Sequence, residues 1–185
     1  MRRLIMSGLA SLVLVFSSFV AQADPAEERT EINEESQSIL QKIYKEDPAA
    51  KTLVNSSVGY ATFSNVQVNL IFVAAGGGSG VVVDRSSGKR TYMSMGEGGI
   101  GLGLGAKDFR VLFVFHTKEA MEKFVDDGWG FGAEADAAAK SGKKGGEAGA
   151  GTTIGDITVY QLTENGLALQ ATVKGTKYWK DDDLN

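Results

Sequence analysis

Cysteine is absent from the 185 residues, histidine occurs once, at His116, and proline twice. Without cysteine there is no disulfide and no lipid-bearing cysteine, so stability must come from burial. A zinc site draws several His, Cys or carboxylate ligands at set spacings. One histidine without cysteine does not supply them. A hydrolase triad needs a base beside a nucleophile, and no G-x-S-x-G motif is present. His116 reads instead as a polar residue at a strand end. Asp126-Asp127 and Asp181-Asp182-Asp183 lack the alternating ligands and glycine of an EF-hand loop, so they read as solvated charge. The residues imply no enzyme, no metal and no cofactor.

A long apolar run occurs once. Arg2 and Arg3 precede Leu4 to Val20, a stretch without charge, and Ala21-Gln22-Ala23 follows. Positive residues, an apolar run and small residues at the cleavage positions make a secretory signal peptide, residues 1–23, cut before Asp24. The alternative, an uncleaved anchor, is disfavoured because the run falls short of the ~20 residues of a spanning helix. Residues 24–185 then form one domain, exported to the periplasm or secreted. With the leader removed, 17 basic residues face 23 acidic ones, a net charge of −6. That balance argues against nucleic acid, which wants a basic face.

Within the domain, residues 24–30 read as a charged leader. Ile32, Ser36, Ile39, Leu40, Ile43 and Tyr44 then recur at helical spacing, predicting a helix over 31–44 capped by Thr30. Pro48 ends it, and a second short helix covers 49–55. Next the period becomes two. Strands are predicted at 58–63, 66–74, 80–84, 90–95 and 109–115, with a hairpin loop at 84–89. Thr117 caps a helix over 118–126, and Gly128 stops it in the left-handed region. Residues 129–141 lean to strand, and 142–155 read as a loop. A last hairpin joins 157–162 to 167–173 through Asn165-Gly166. The fold class is α+β: a glycine-rich, mostly antiparallel sheet or partly closed barrel with a few flanking helices.

Twenty of the 24 glycines lie between Gly76 and Gly155. In Gly99-Ile100-Gly101-Leu102-Gly103-Leu104-Gly105 a period of two makes one face all glycine and the other aliphatic. Such a face suits close approach by backbone or helix; a ligand on it is the alternative. Gly96 to Gly101 matches G-x-G-x-x-G, but no helix follows to hold a phosphate. Gly76-Gly77-Gly78-Ser79-Gly80 lacks the lysine and hydroxyl of a P-loop and reads as a turn or bulge. Glu97 is a lone carboxylate among glycines, which either pairs with Lys107 or Arg110 or faces solvent; a ligand contact is the alternative to this structural role.

Basic residues cluster at Lys107 with Arg110; at Lys140, Lys143 and Lys144; and at Lys174, Lys177 and Lys180. The last group brackets Tyr178-Trp179. Rings beside lysines suit a membrane interface, with the rings at headgroup level and the ammonium groups near phosphates. The alternative is a buried Tyr-Trp pair fixing the C-terminal segment to the core.

Met95-Gly96-Glu97-Gly98-Gly99 through to Lys107-Asp108-Phe109 resembles the signature of bacterial SYLF-domain proteins. So do Phe131-Gly132-Ala133, the run Ala135 to Ala139, and Val159 to Leu167 continuing to Lys177-Tyr178-Trp179. The resemblance covers nearly all of 24–185. It implies lipid binding, since eukaryotic SYLF domains bind phosphoinositides and other anionic lipids, and some associate with actin. The expected function is an exported lipid-binding module contacting phospholipid through Lys140, Lys143, Lys144, Lys174, Lys177, Tyr178, Trp179 and Lys180. A structural or protein-partner module of the cell envelope, with no small ligand, is the alternative. The secreted protein is expected to have the intact mass of a chain beginning at Asp24; a retained leader would overturn the export reading.

Overall fold

A computed structural model describes residues 24–65, 77–97, 110–130, 147–148, 151–163, 166–168 and 176–185. Two Asp-Pro pairs start its first two helices. The Asp24 carboxylate accepts from the amide of Ala26 at 2.9 Å, and Pro25 opens helix α1, Pro25–Glu46. Asp47 accepts from the amide of Ala49 at 2.9 Å, and Pro48 opens α2, Pro48–Ser56. An N-cap carboxylate followed by proline satisfies an orphan donor and presets the first turn. The expected leader at 24–30 is therefore helix. Thr30 is no cap: its hydroxyl donates to the carbonyl of Ala26 within α1. The third helix, α3, spans Lys118–Asp126 with Thr117 as N-cap, as its sequence predicts. Gly128, at φ +73°, ends it in the left-handed region. No helix among the described residues is long and apolar enough to cross a membrane.

Ten strands are present among the described residues: β1 Gly59–Ser64, β2 Gly77–Asp84, β3 Arg90–Glu97, β4 Arg110–Phe115, β5 Trp129–Gly130, β6 Glu147–Ala148, β7 Gly151–Ile154, β8 Ile157–Thr163, β9 Gly166–Leu167 and β10 Thr176–Lys180. They form one antiparallel sheet in the order β5-β10-β3-β2-β1-β4-β8-β7-β6, with β9 also on β8. The sheet is an open half-barrel, and the fold is α+β as expected. Gly77 to Gly80 form the start of β2, not a turn or bulge, because all four pair with β3, and Ser79 and Gly80 pair with β1 as well. The predicted strand at 66–74, the glycine alternation at 99–105 and most of 131–146 and 167–173 lie outside the described residues.

Both faces of the central strands are covered. On one face, Ala61, Phe63, Val82, Met93, Met95, Val111, Phe113 and Val159 pack with Met121 and Phe124 of α3. On the other, Tyr60, Leu112, Val114, Tyr160 and Leu162 pack against Ile39, Leu40 and Ile43 of α1 and Ala50 and Val54 of α2. The alternation of side chains along each strand assigns them to the two layers. Ser36, on the apolar face of α1, accepts a 2.7 Å hydrogen bond from the buried Thr62 hydroxyl. The pairing explains a serine on that face, since a buried hydroxyl without a partner is costly.

Residues 181–185 close the α1 side. Leu184 packs with Ile32, Val81 and Tyr92, and its carbonyl accepts from Arg29 Nε at 2.9 Å. The Asn185 side chain accepts from the amide of Tyr92 at 2.9 Å and donates to its carbonyl at 2.7 Å. Asp181 is more than solvated charge. It accepts from the Ser94 hydroxyl at 2.6 Å and from the amide of Asp183 at 3.1 Å.

Close strand packing accounts for at least one glycine. A Cβ on Gly80 would collide with the Thr62 carbonyl oxygen and the Phe63 ring. Gly80→Ala is expected to cost about 1–3 kcal/mol and to lower the thermal midpoint by roughly 2–4 °C per kcal/mol. An unchanged midpoint would contradict this packing.

Candidate functional site

The sequence Thr176-Lys177-Tyr178-Trp179-Lys180 forms β10, between β3 and β5. In a strand, neighbouring side chains point to opposite faces. Tyr178 and Trp179 therefore cannot act as one aromatic pair on one surface, and the structure separates them.

Tyr178 is 1% exposed. Its ring meets Phe63 edge-on at 4.6 Å and Phe113 edge-on at 5.1 Å, and it also adjoins Phe124 and Trp129. Edge-to-face aromatic pairs contribute about 0.5–1.5 kcal/mol beyond their area. This corrects the expectation that Tyr178 sits at a headgroup. It is a core residue that fixes β10 in place.

Trp179 points the other way and is 48% exposed, the large apolar side chain most open to water among the described residues. Its ring lies on Gly96 of β3, where a Cβ would stand 2.9 Å from the ring edge. Lys177, two residues before it, is exposed on the same face, whereas Lys180, one residue after it, is exposed on the face of Tyr178. Lys177 pairs in register with Gly96, and Trp179 with Ser94. The register continues from Ser94 through Ser79 and Ser64 to Arg110. The Arg110 Nε donates to Glu35 of α1 at 2.8 Å. The side chain of Glu97, its expected partner, lies outside those described. Small residues floor the sheet beside Trp179, and α1 covers the row beyond.

Lys140, Lys143, Lys144 and Lys174, with Lys107, lie outside the described residues. The described strand ends at Ser64, Gly77, Glu97, Arg110, Gly130 and Thr176 all fall at the same end of the sheet, the end of Lys177. The opposite end carries the 84–89 hairpin and His116. There His116 Nε2 lies 2.8 Å from the Thr158 hydroxyl, which lies 2.9 Å from that of Thr153. This short polar chain ties the end of β4 to β7 and β8. Among the described residues, no three His, Asp or Glu side chains converge as metal ligands.

Residues 96–185 match the sequence profile of the family described as "Ysc84: Las17-binding protein actin regulator". The chain is also 36% identical over 158 residues to Beta cell expansion factor A of Aeromonas veronii. Residues 96–185 carry the domain of the SYLF family. The alignment with the Aeromonas protein covers 85% of this chain but 59% of that relative, so the chain spans about three fifths of its length. The SYLF match begins at the glycine under the Trp179 ring and takes in β4, α3 and every later strand.

One part of this site was missed from sequence. The pairing of Gly96 with Lys177 beneath Trp179 depends on register between strands some 80 residues apart, which no local pattern gives. The opposed directions of Tyr178 and Trp179, by contrast, follow from strand period alone. Tyr178→Ala is expected to destabilise the SYLF fold by about 3–5 kcal/mol, as aromatic truncation in a core does. Trp179→Ala should stay within about 1 kcal/mol. Urea unfolding of both variants checks this, and equal losses would refute the division of the pair.

Proposed function

We propose that this SYLF protein is a non-catalytic lipid-binding module that docks on anionic membrane surfaces through the outer face of β10. The family domain supports a lipid- or actin-associated module in general. The observation that carries the finer reading is Trp179, half exposed on a glycine, with the exposed Lys177 on the same face. An indole is favoured at the headgroup level of a bilayer. A lysine close to an anionic surface contributes ~1 kcal/mol. The acidic total charge does not oppose this strongly, because repulsion between groups further apart than ~8 Å is screened at physiological salt. Lys174, and Lys140 with Lys143 and Lys144, supply further cations in this reading. Export places the module at the periplasmic side of a membrane or outside the cell.

The description of the matching family as Las17-binding favours a second reading, a module whose partner is a protein. The same face of β10 would then meet a protein.

Vesicle co-sedimentation separates the two. Wild type should bind phosphatidylglycerol vesicles and lose affinity as salt rises. Lys177→Gln should weaken binding about fivefold, from one contribution of ~1 kcal/mol, and Lys180→Gln, on the other face, should weaken it less. Trp179→Ala should weaken it further, with circular dichroism as the folding control. Equal binding by all variants would remove this face from the mechanism. Failure to bind any vesicle would leave the protein-partner reading.

A further inference from the structure

An opening in the surface lies on the α3 side of the sheet, the side opposite the Trp179 ring, between α3 and the hairpin of β2 and β3. Its volume is about 290 Å³. Val82 on β2 and Met121 and Val125 on α3 make an apolar floor. Thr91 of β3, 7% exposed, brings a hydroxyl to it. The rim is charged, and each wall carries both signs. The hairpin contributes Asp84 and Lys89; α3 contributes Lys118, Glu122 and Asp126. The α3 residues recur every four positions, and so do Met121 and Val125. One stripe of the helix is charged at its margin and apolar towards the floor.

Three of these five charges are already engaged. Lys118 and Glu122 pair along the helix at 3.4 Å. The Asp84 carboxylate accepts from the Ser86 and Ser87 hydroxyls at 2.7 and 2.8 Å, and from the Ser86 amide. Those hydrogen bonds hold its pKa down at about 2, so it remains an anion at any ordinary pH. Lys89 and Asp126, both exposed, are left to meet a ligand from opposite walls.

From this arrangement we infer that the cleft is a binding site for a zwitterionic amphiphile. The apolar body lies on Val82, Met121 and Val125, the anionic group meets Lys89, and the cationic group meets Asp126 and Asp84. A purely anionic ligand would leave Asp126 unanswered, and a purely cationic one would leave Lys89. A concave apolar floor with a few convergent polar groups is the usual form of a small-molecule site. The site is separate from the β10 face and does not depend on it. A phosphocholine-type lipid head and a free peptide both carry this chemistry.

Calorimetric titration with dodecylphosphocholine, kept below its micelle concentration, tests the inference. One molecule should bind per chain. Lys89→Gln and Asp126→Asn, at exposed positions, should each weaken binding at least fivefold. Dodecyl maltoside, with the same tail and an uncharged head, should bind at least tenfold more weakly and be indifferent to both substitutions. Trp179→Ala should leave the titration unchanged, which keeps this result distinct from that of the β10 face. Leucyl-leucine as competitor identifies the source. Competition at matching concentration would name a free peptide, and competition only at far higher concentration a lipid head. Absence of saturable binding, equal binding by the three proteins, or no preference between the two heads would overturn the inference.

Discussion

Phe113 of β4 touches Phe63, Phe124, Trp129 and Tyr178, with ring centroids between 5.1 and 5.9 Å for the first, third and fourth and 5.1 Å for Phe124. Each of those rings comes from a different element: β1, α3, β5 and β10. The contact therefore does what local hydrogen bonding cannot, joining parts of the chain more than 100 residues apart. It is also the constraint from which the surface follows. With Tyr178 held inward by Phe63 and Phe113, strand geometry leaves Trp179 one direction, outward onto Gly96. The exposed tryptophan is a consequence of the core as much as a feature of the surface.

The other face obeys a second requirement. Tyr60, Leu112, Val114 and Tyr160 would expose a broad apolar surface if α1 and α2 were absent. The helices must lie flat on them, and polar groups trapped beneath need partners. Ser36 with Thr62, and Glu35 with Arg110, supply these. The last five residues complete the cover through Leu184 and the two hydrogen bonds of Asn185 to Tyr92. Stability on this side thus rests on joining the first described helix to the last described residues, which carries the entropic cost of closing a long loop.

Much of this was legible in the sequence, for identifiable reasons. The face of α1 was readable because Ile32, Ser36, Ile39, Leu40 and Ile43 follow the helical period. α3 was readable to the residue because Thr117 and Gly128 are local signals at its two ends. The start of α1 lies ahead of its apolar period, because the Asp24-Pro25 pair starts the helix before the first buried position, as the same pair at 47–48 starts α2. Gly77 to Gly80 were misjudged because glycine is a turn signal in isolation. Here the small side chain serves a close approach to β1 and Met95, visible only once strands are paired. The candidate site was legible as composition, lysines with aromatics, and not as geometry. The cleft beside α3 was not legible, since its walls meet only in the folded chain.

On the docking reading, the distribution of charge along β10 also fixes how the molecule would stand on a surface. From Thr176 the strand carries Lys177 and then Lys180, after which Asp181, Asp182 and Asp183 follow at once. These carboxylates adjoin others on α1. The pKa of Glu28 is raised by its own burial first, and then by Asp181, Glu31 and Asp183. A flat approach of the whole face would bring this acidic group against anionic headgroups together with the lysines, and the gain from one would offset the cost of the other. Tilting the sheet, so that its Lys177 end leads, keeps the carboxylates more distant from the surface, where screening removes most of their effect. The Trp179 ring lies between the two regions, within reach of the interface in the tilted pose. A net acidic protein can therefore meet an acidic surface, provided that one end of its sheet arrives first.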